Sequence, residues 1–149
     1  MFNRRSFLCS LAVTPLLARP VLAASPDIFA VDGLAIRGTD PVAYFTDAMP
    51  VAGSPDHTLM WRGATWKFAS VANRAAFEAD PTAYAPQYGG YCAYAASKGA
   101  VATTVPEAWT VHEGKLYLNY STSVRGIWSQ DVAGNIALAD ANWPSILQN

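Results

Sequence analysis

Two segments of this chain alternate apolar and polar residues around a glycine turn, and this pattern constrains the fold more than any other feature. The first segment runs from His57 to Ser70 and is predicted to turn at Gly63-Ala64. Directly opposed residues share a face of a hairpin, so this register places four apolar side chains together. The predicted pairs are Trp61 with Trp66 and Leu59 with Phe68.

The second hairpin is predicted from Trp109 to Tyr120, with its turn at Glu113-Gly114. This register pairs Val111 with Leu116 and Trp109 with Leu118, again on one apolar face. The opposite face is expected to meet solvent. It carries Thr110, His112, Lys115, Tyr117 and Asn119.

Helical patterns occupy the rest of the chain. Ser70 can cap a helix over about residues 71–80, a second helix is expected to begin near Ser121 or Ser123, and a third to follow Gly134. The segment Pro86–Gly99 is predicted to be a loop with about one helical turn. The expected inward residues are Val71, Ala75 and Phe77; Val124, Ile127 and Trp128; and Ile136, Ala139 and Trp143. The fold class is therefore α+β: a small single domain with two antiparallel β-hairpins and about three helices.

The N-terminal 23 residues have the form of an export signal. Arg4-Arg5 precede an apolar stretch that is too short to span a bilayer, and a small-residue cleavage pattern ends at Ala23. The run Arg4-Arg5-Ser6-Phe7-Leu8 resembles the twin-arginine signal motif. We expect cleavage near Ala23, a periplasmic mature protein, a linker over residues 24–33 and a domain over residues 34–149.

The mature chain is short and acidic. Removing 23 of 149 residues leaves 126, and ten basic residues become seven against eleven acidic ones, a net charge of about −4. This balance argues against a nucleic-acid partner. No further stretch is long and apolar enough to predict a membrane span, so a metal ion or a periplasmic protein remains as partner.

Cys92 is the single cysteine of the mature chain, because Cys9 lies within the signal. No internal disulfide can form, and a lone thiol outside the cytoplasm is either a reactive group or a small buried apolar residue. Cys92 follows Gly89-Gly90 within a tyrosine-rich loop, a setting in which backbone geometry is unusually free.

Several motifs resemble those of the YHS domain family. They are Gly38-Thr39-Asp40-Pro41-Val42-Ala43-Tyr44-Phe45, Gly63-Ala64-Thr65-Trp66-Lys67-Phe68-Ala69-Ser70, and Asp80-Pro81-Thr82-Ala83-Tyr84. The segments Gln87–Ala95 and Gly114–Ser121 resemble an exported bacterial subgroup, which extends the resemblance to about residues 38–147. The family's modules are often attached to metal-handling proteins such as copper-transporting ATPases, and the resemblance implies a metal-binding role.

The cysteines that the family is proposed to use as ligands are replaced here. Ala43, Ala69 and Asn73 stand at the three positions. A methyl group cannot bind a soft metal, so the resemblance does not carry its metal site onto this chain.

The remaining candidates define the hypotheses to be tested. Cys92 is the candidate ligand for copper or zinc, with His57 and Asp40 as further donors. We expect a non-enzymatic binding protein; a thiol-redox or otherwise catalytic Cys92, or an interaction module without metal, are the alternatives. A ligand or partner surface is expected around four tyrosines: Tyr44, Tyr88, Tyr91 and Tyr94.

Overall fold

The computed structural model describes residues 15, 17–19 and 23–149; the arginine pair of the predicted signal lies outside them. It confirms an α+β domain built on two small sheets. The strands are β1 (Ala30–Val31), β2 (Leu34–Ala35), β3 (Ser54–Trp61), β4 (Ala64–Phe68), β5 (Trp109–His112) and β6 (Lys115–Leu118). The α-helices are α1 (Ala43–Thr46), α2 (Val71–Ala79), α3 (Pro81–Tyr84), α4 (Ala93–Ser97), α5 (Thr122–Trp128) and α6 (Val132–Asn142). Within the described ranges, no helix has the length and apolar character needed to cross a membrane.

The larger sheet has the strand order β1-β2-β4-β3. Strands β3 and β4 form the first predicted hairpin, but the turn lies at Arg62-Gly63, where both residues have positive φ, 48° and 78°. Trp61 therefore pairs with Ala64 and Leu59 with Trp66, so the predicted register was wrong by two residues. Since strand side chains alternate with period two, the apolar residues stay on the predicted face.

The second hairpin has the predicted register. Val111 pairs with Leu116 and Trp109 with Leu118. The expectation of a solvated opposite face was wrong, because Tyr117 and Asn119 are 3% and 0% exposed. Helix α5 covers this face, with the rings of Tyr117 and Trp128 centred 5.4 Å apart. The hairpin therefore divides two apolar clusters: Leu116 and Leu118 point into one and Tyr117 into the other.

The predicted helix caps are confirmed, whereas some residues predicted to face inward are exposed. Ser70 accepts a hydrogen bond from the N–H of Asn73, and Ser121 from that of Val124, so each begins its helix as expected. Helix α6 begins before Gly134, at Val132. Phe77, Trp128 and Ala139 are fully buried. Other predicted inward residues face solvent: Val71, Ala75 and Ile127.

The segment over residues 24–33, expected to be a linker, in part belongs to the folded domain. Ile28 and Phe29 are buried, and Ala30–Val31 form strand β1. The N–H of Phe29 donates to the carbonyl of Gly89 at 2.8 Å, and that of Ser25 to Leu147 at 2.8 Å. The chain is thus attached to the domain from Ser25 onward, two residues after the predicted cleavage point.

Candidate functional site

Asp40 lies at the centre of a buried polar cluster. Its side chain is 0% exposed. One carboxylate oxygen accepts hydrogen bonds from the N–H groups of Val42 (2.8 Å) and Ala43 (3.3 Å). The other accepts from the N–H of Ala69 (2.8 Å) and the side-chain amide of Asn73 (2.7 Å). The Asp40 cluster, defined by these five residues, joins α1 to the junction of β4 and α2.

The same cluster gathers the three positions at which the YHS resemblance implies cysteines. Ala43 is far in sequence from Ala69 and Asn73, yet all three residues donate to the one carboxylate. Two of the three present methyl groups, and both oxygens of Asp40 already accept two hydrogen bonds each. The donor set here does not fit a soft metal ion, which requires thiolate or imidazole ligands.

Cys92 is a buried residue at the start of α4. Its thiol is 1% exposed, and its sulfur accepts hydrogen bonds from the N–H groups of Tyr120 (3.2 Å) and Ala95 (3.5 Å). The thiol in turn donates to Oδ1 of Asn119 at 3.5 Å, and the N–H of Tyr94 donates to the same oxygen at 3.0 Å. The thiol therefore serves as an internal connector between α4 and the end of β6.

This environment does not fit a copper or zinc ion either. Metal sites surround the ion with several lone pairs, whereas the sulfur of Cys92 meets two N–H donors and a single amide oxygen. Among residues 23–149, no three His, Cys, Asp or Glu side chains are close enough together to hold a metal ion. Asp40 and Cys92 have no hydrogen-bonding partner in common among those described.

The histidines are also separate from Cys92. His57 is a half-buried residue of β3, and the carbonyl of the next residue, Thr58, accepts a hydrogen bond from Arg74 of α2. His112 lies at the end of β5, where its ring nitrogen is 3.9 Å from the carboxylate of Glu113.

Three of the four tyrosines expected to form a surface are instead core residues. Tyr44, Tyr88 and Tyr91 are 1%, 4% and 7% exposed, because each hydroxyl reaches a polar partner inside the fold. Tyr44 donates to the carbonyl of Pro106 at 2.9 Å and Tyr91 to that of Pro26 at 2.8 Å. Tyr94 is half-buried, with the amine of Lys98 5.1 Å from its ring centre.

Tyr88 is the tyrosine that borders a concave surface. Its backbone is left-handed (φ 57°), as is that of Gly89 (φ 62°), and its hydroxyl donates to the carboxylate of Asp140 at 2.9 Å. Burial, and then Asp140, raise the pKa of Tyr88 well above its ordinary value. A side-chain carbon at Gly89 would overlap the carbonyl oxygen of Asp27, so only glycine permits the N-terminal segment to pack here.

The concave surface is a groove of about 400 Å³, hereafter the aromatic groove. Four segments meet there: residues 27–28, the turn between β3 and β4, residues 82–89 and residues 143–147. Its aromatic lining consists of Trp61, Tyr88 and Trp143. Its volume lies in the range of small-molecule sites.

Polar groups line the same groove. They are Asp27, Arg62, Thr82 and Gln87. The guanidinium of Arg62 lies 4.5 Å from the centre of the Trp61 ring, a cation–π contact. Among the described residues, neither Asp27 nor Arg62 has a salt-bridge partner. One negative and one positive charge therefore remain for a ligand to engage.

The sequence contains little that would have indicated this groove. Its residues come from four separated segments, and no motif joins them. The paired glycines before Cys92 are a partial signal, because Gly89 shapes one wall. Cys92 follows the same glycines, but it is not among the groove residues, and its sulfur contacts Asn119 instead.

Comparisons with known proteins find no counterpart. No protein-family model matches the chain, and no curated protein or solved structure matches it.

Proposed function

We propose that this chain is an exported, non-enzymatic binding domain, similar to YHS domains, that holds a small organic ligand in the aromatic groove. The observation that carries the proposal is the meeting of three aromatic rings with unpaired opposite charges in one groove of about 400 Å³. Binding sites typically combine an apolar lining with a few polar groups that orient the ligand.

The interior offers weaker candidates. Asp40 and Cys92 both direct their polar atoms to partners within the chain. The Cys92 sulfur is 1% exposed, which leaves a reactant almost no access. A reactive cysteine needs exposure together with a stabilised thiolate, so we favour a structural role for this thiol over the metal-binding and redox hypotheses.

A thermal-shift screen of the mature protein tests the proposal. A small molecule that binds only the folded state raises the melting temperature, and the shift grows with the logarithm of the ligand concentration relative to its dissociation constant. We expect the screen to find ligands that raise the melting temperature of the wild type. This shift should be lost in Arg62→Gln or Asp27→Asn and retained in Asp56→Asn, an exposed control outside the groove. Ligands whose shift is lost only in Cys92→Ala would contradict the proposal and support the thiol as the site.

Export is a separate part of the proposal. The twin-arginine resemblance supports it, as does the backbone hydrogen bond of Ser25 to Leu147, the first among the described residues, two residues beyond the predicted cleavage point. In cell fractionation, we expect the precursor of Arg4→Lys/Arg5→Lys to stay in the cytoplasm, and the exported wild type to begin near Ala24 by mass spectrometry. A variant exported as efficiently as wild type would rule out the twin-arginine route.

A further inference from the structure

The aromatic groove holds one side chain of each charge, and the two are not paired with each other. Asp27 and Arg62 both line the groove, and no nitrogen of Arg62 lies within 4.0 Å of a carboxylate oxygen of Asp27. Since opposite charges attract, Asp27 is the partner for an ammonium group and Arg62 the partner for a carboxylate. A ligand with a single charge leaves one of the two residues unmatched, whereas a ligand that carries both charges can pair with each of them.

Arg62 is positioned for a carboxylate by its contact with Trp61. The guanidinium carbon lies 4.5 Å from the centre of the Trp61 ring. A guanidinium that packs on an aromatic ring uses one of its flat faces, and its N–H donors point outward at its edge. Two of these donors can bind both oxygens of one carboxylate. The contact therefore covers the Trp61 ring, but it restricts Arg62 to fewer conformations and so reduces the entropy lost on binding.

Apolar side chains from three segments of the chain line much of the remaining wall. They are Ile28, Ala85, Pro86, Trp143 and Leu147. An apolar group of the ligand that packs against them is removed from water, which favours binding. The volume of about 400 Å³ is near the lower end of small-molecule sites, which span roughly 300–1,000 Å³. The ligand is therefore small and in part apolar.

We infer that the aromatic groove binds a zwitterion with an apolar side chain, a free amino acid or a dipeptide, with its ammonium at Asp27 and its carboxylate at Arg62. This inference rests on the proposed function and specifies its ligand class. A dipeptide separates its two charges by more atoms than an amino acid does, so the two sizes match different separations of Asp27 and Arg62.

NMR titrations of the mature protein with matched ligands test the inference. The zwitterions are phenylalanine, leucine and leucyl-phenylalanine. For each, the N-acetyl form lacks the ammonium and the C-terminal amide lacks the carboxylate, while glycine and glycylglycine keep both charges without an apolar side chain. We expect at least one of the three zwitterions to bind with a dissociation constant of about 1 mM or less. Its N-acetyl form, its amide and the glycine analogue of its length are each expected to bind roughly tenfold more weakly or worse, since each lacks one of the inferred interactions.

Two charge variants assign the ends of the ligand. In Arg62→Gln, the zwitterion is expected to lose its advantage over the amide, because no guanidinium remains to bind the carboxylate. In Asp27→Asn, it is expected to lose its advantage over the N-acetyl form, because no carboxylate remains to bind the ammonium. Asp56→Asn and Lys115→Gln remove the same charges at exposed positions outside the groove and are expected to bind as wild type does.

The outcomes separate the inference from the proposed function. A single-charge form that binds as tightly as its zwitterion would overturn the inference, and weaker binding of that form in Arg62→Gln or Asp27→Asn would keep the groove as the binding site. No binding in the whole panel, together with groove-dependent hits in the thermal-shift screen, would overturn the inference alone, whereas the absence of both would overturn both. Zwitterion binding that neither charge variant changes would place the ligand elsewhere and also overturn the inference.

Discussion

The buried Asp40 cluster and the aromatic groove use polar residues in opposite ways. Both oxygens of Asp40 accept hydrogen bonds from inside the chain, four in total. In the groove, Asp27 and Arg62 face outward without a salt-bridge partner among the described residues. Buried polar groups must be paired to be tolerated, whereas outward polar groups remain available to a ligand. The contrast assigns stability to the first region and binding to the second.

The largest expected effect on stability belongs to Asp40→Ala. The change leaves three backbone N–H groups and the Asn73 amide without their acceptor, a carboxylate that is itself 0% exposed. We expect the free energy of unfolding to fall by about 4 kcal/mol in urea titrations, several unsatisfied donors acting together. Asp56→Ala, at an exposed position, is the control and is expected to change it by less than about 0.5 kcal/mol. Equal losses of unfolding free energy in Asp40→Ala and Asp56→Ala would contradict the stabilising role assigned to the Asp40 cluster.

A second large effect is expected at alkaline pH. Burial raises the pKa of Tyr44, Tyr88, Tyr91 and Tyr117 above the ordinary value. Above about pH 10 the unfolded chain therefore releases phenolic protons that the folded chain keeps, and stability, fully present below that pH, falls as pH rises.

Urea titrations across this range measure the effect. Each tyrosine that stays protonated in the folded state lowers the free energy of unfolding by up to about 1.4 kcal/mol per pH unit. Tyr88→Phe is expected to reduce the slope, and Tyr120→Phe, at an exposed ring, is the control for loss of a phenolic hydroxyl. A slope that Tyr88→Phe does not alter would mean that Tyr88 ionises normally in the folded protein.

Cys92→Ala is expected to have a smaller effect. The sulfur accepts hydrogen bonds from Tyr120 and Ala95, and its loss is expected to cost about 1–2 kcal/mol of unfolding free energy. Since the thiol is 1% exposed, a thiol-specific reagent should label it slowly in the native protein and rapidly in urea. Rapid native labelling would favour the redox hypothesis instead.

The smallest effects on stability are expected in the groove. Asp27→Asn is expected to change the free energy of unfolding by less than about 0.5 kcal/mol, because the side chain is exposed. Arg62→Gln also loses the contact with Trp61, worth about 0.5–1 kcal/mol at an exposed site. Both should nevertheless weaken ligand binding strongly. A large loss of stability in either would identify it as a structural residue like Asp40.

The hairpins show how far sequence reasoning reaches. Val111, Leu116 and the turn Glu113-Gly114 determine the second register together, and that prediction is confirmed. In the first hairpin, alternation indicated the correct face, but it could not show that Arg62 adopts positive φ and moves the turn by one residue. Local patterns determine faces well, whereas an unusual backbone conformation is decided by the surrounding fold.

The candidate site depended on contacts that no local pattern encodes. The sequence pattern wrongly predicted that Tyr117 and Asn119 face solvent, because alternation alone does not reveal the helix that packs over this face. The tyrosines near Cys92 suggested a surface, but their hydroxyls found partners within the fold, such as Pro26 for Tyr91. The groove arises where four segments meet, so it required the tertiary structure.

The indole signals of the five tryptophans provide the most direct test of the central claim. Trp61 and Trp143 line the aromatic groove, whereas Trp66, Trp109 and Trp128 are not among its lining residues. Amide NMR spectra of the mature protein should be recorded with a ligand identified by thermal shift, in wild type and in Cys92→Ala. The account predicts that the signals of Trp61 and Trp143 move most, and equally in both proteins. Movement centred on Trp109 or Trp128, or movement abolished by Cys92→Ala, would contradict it.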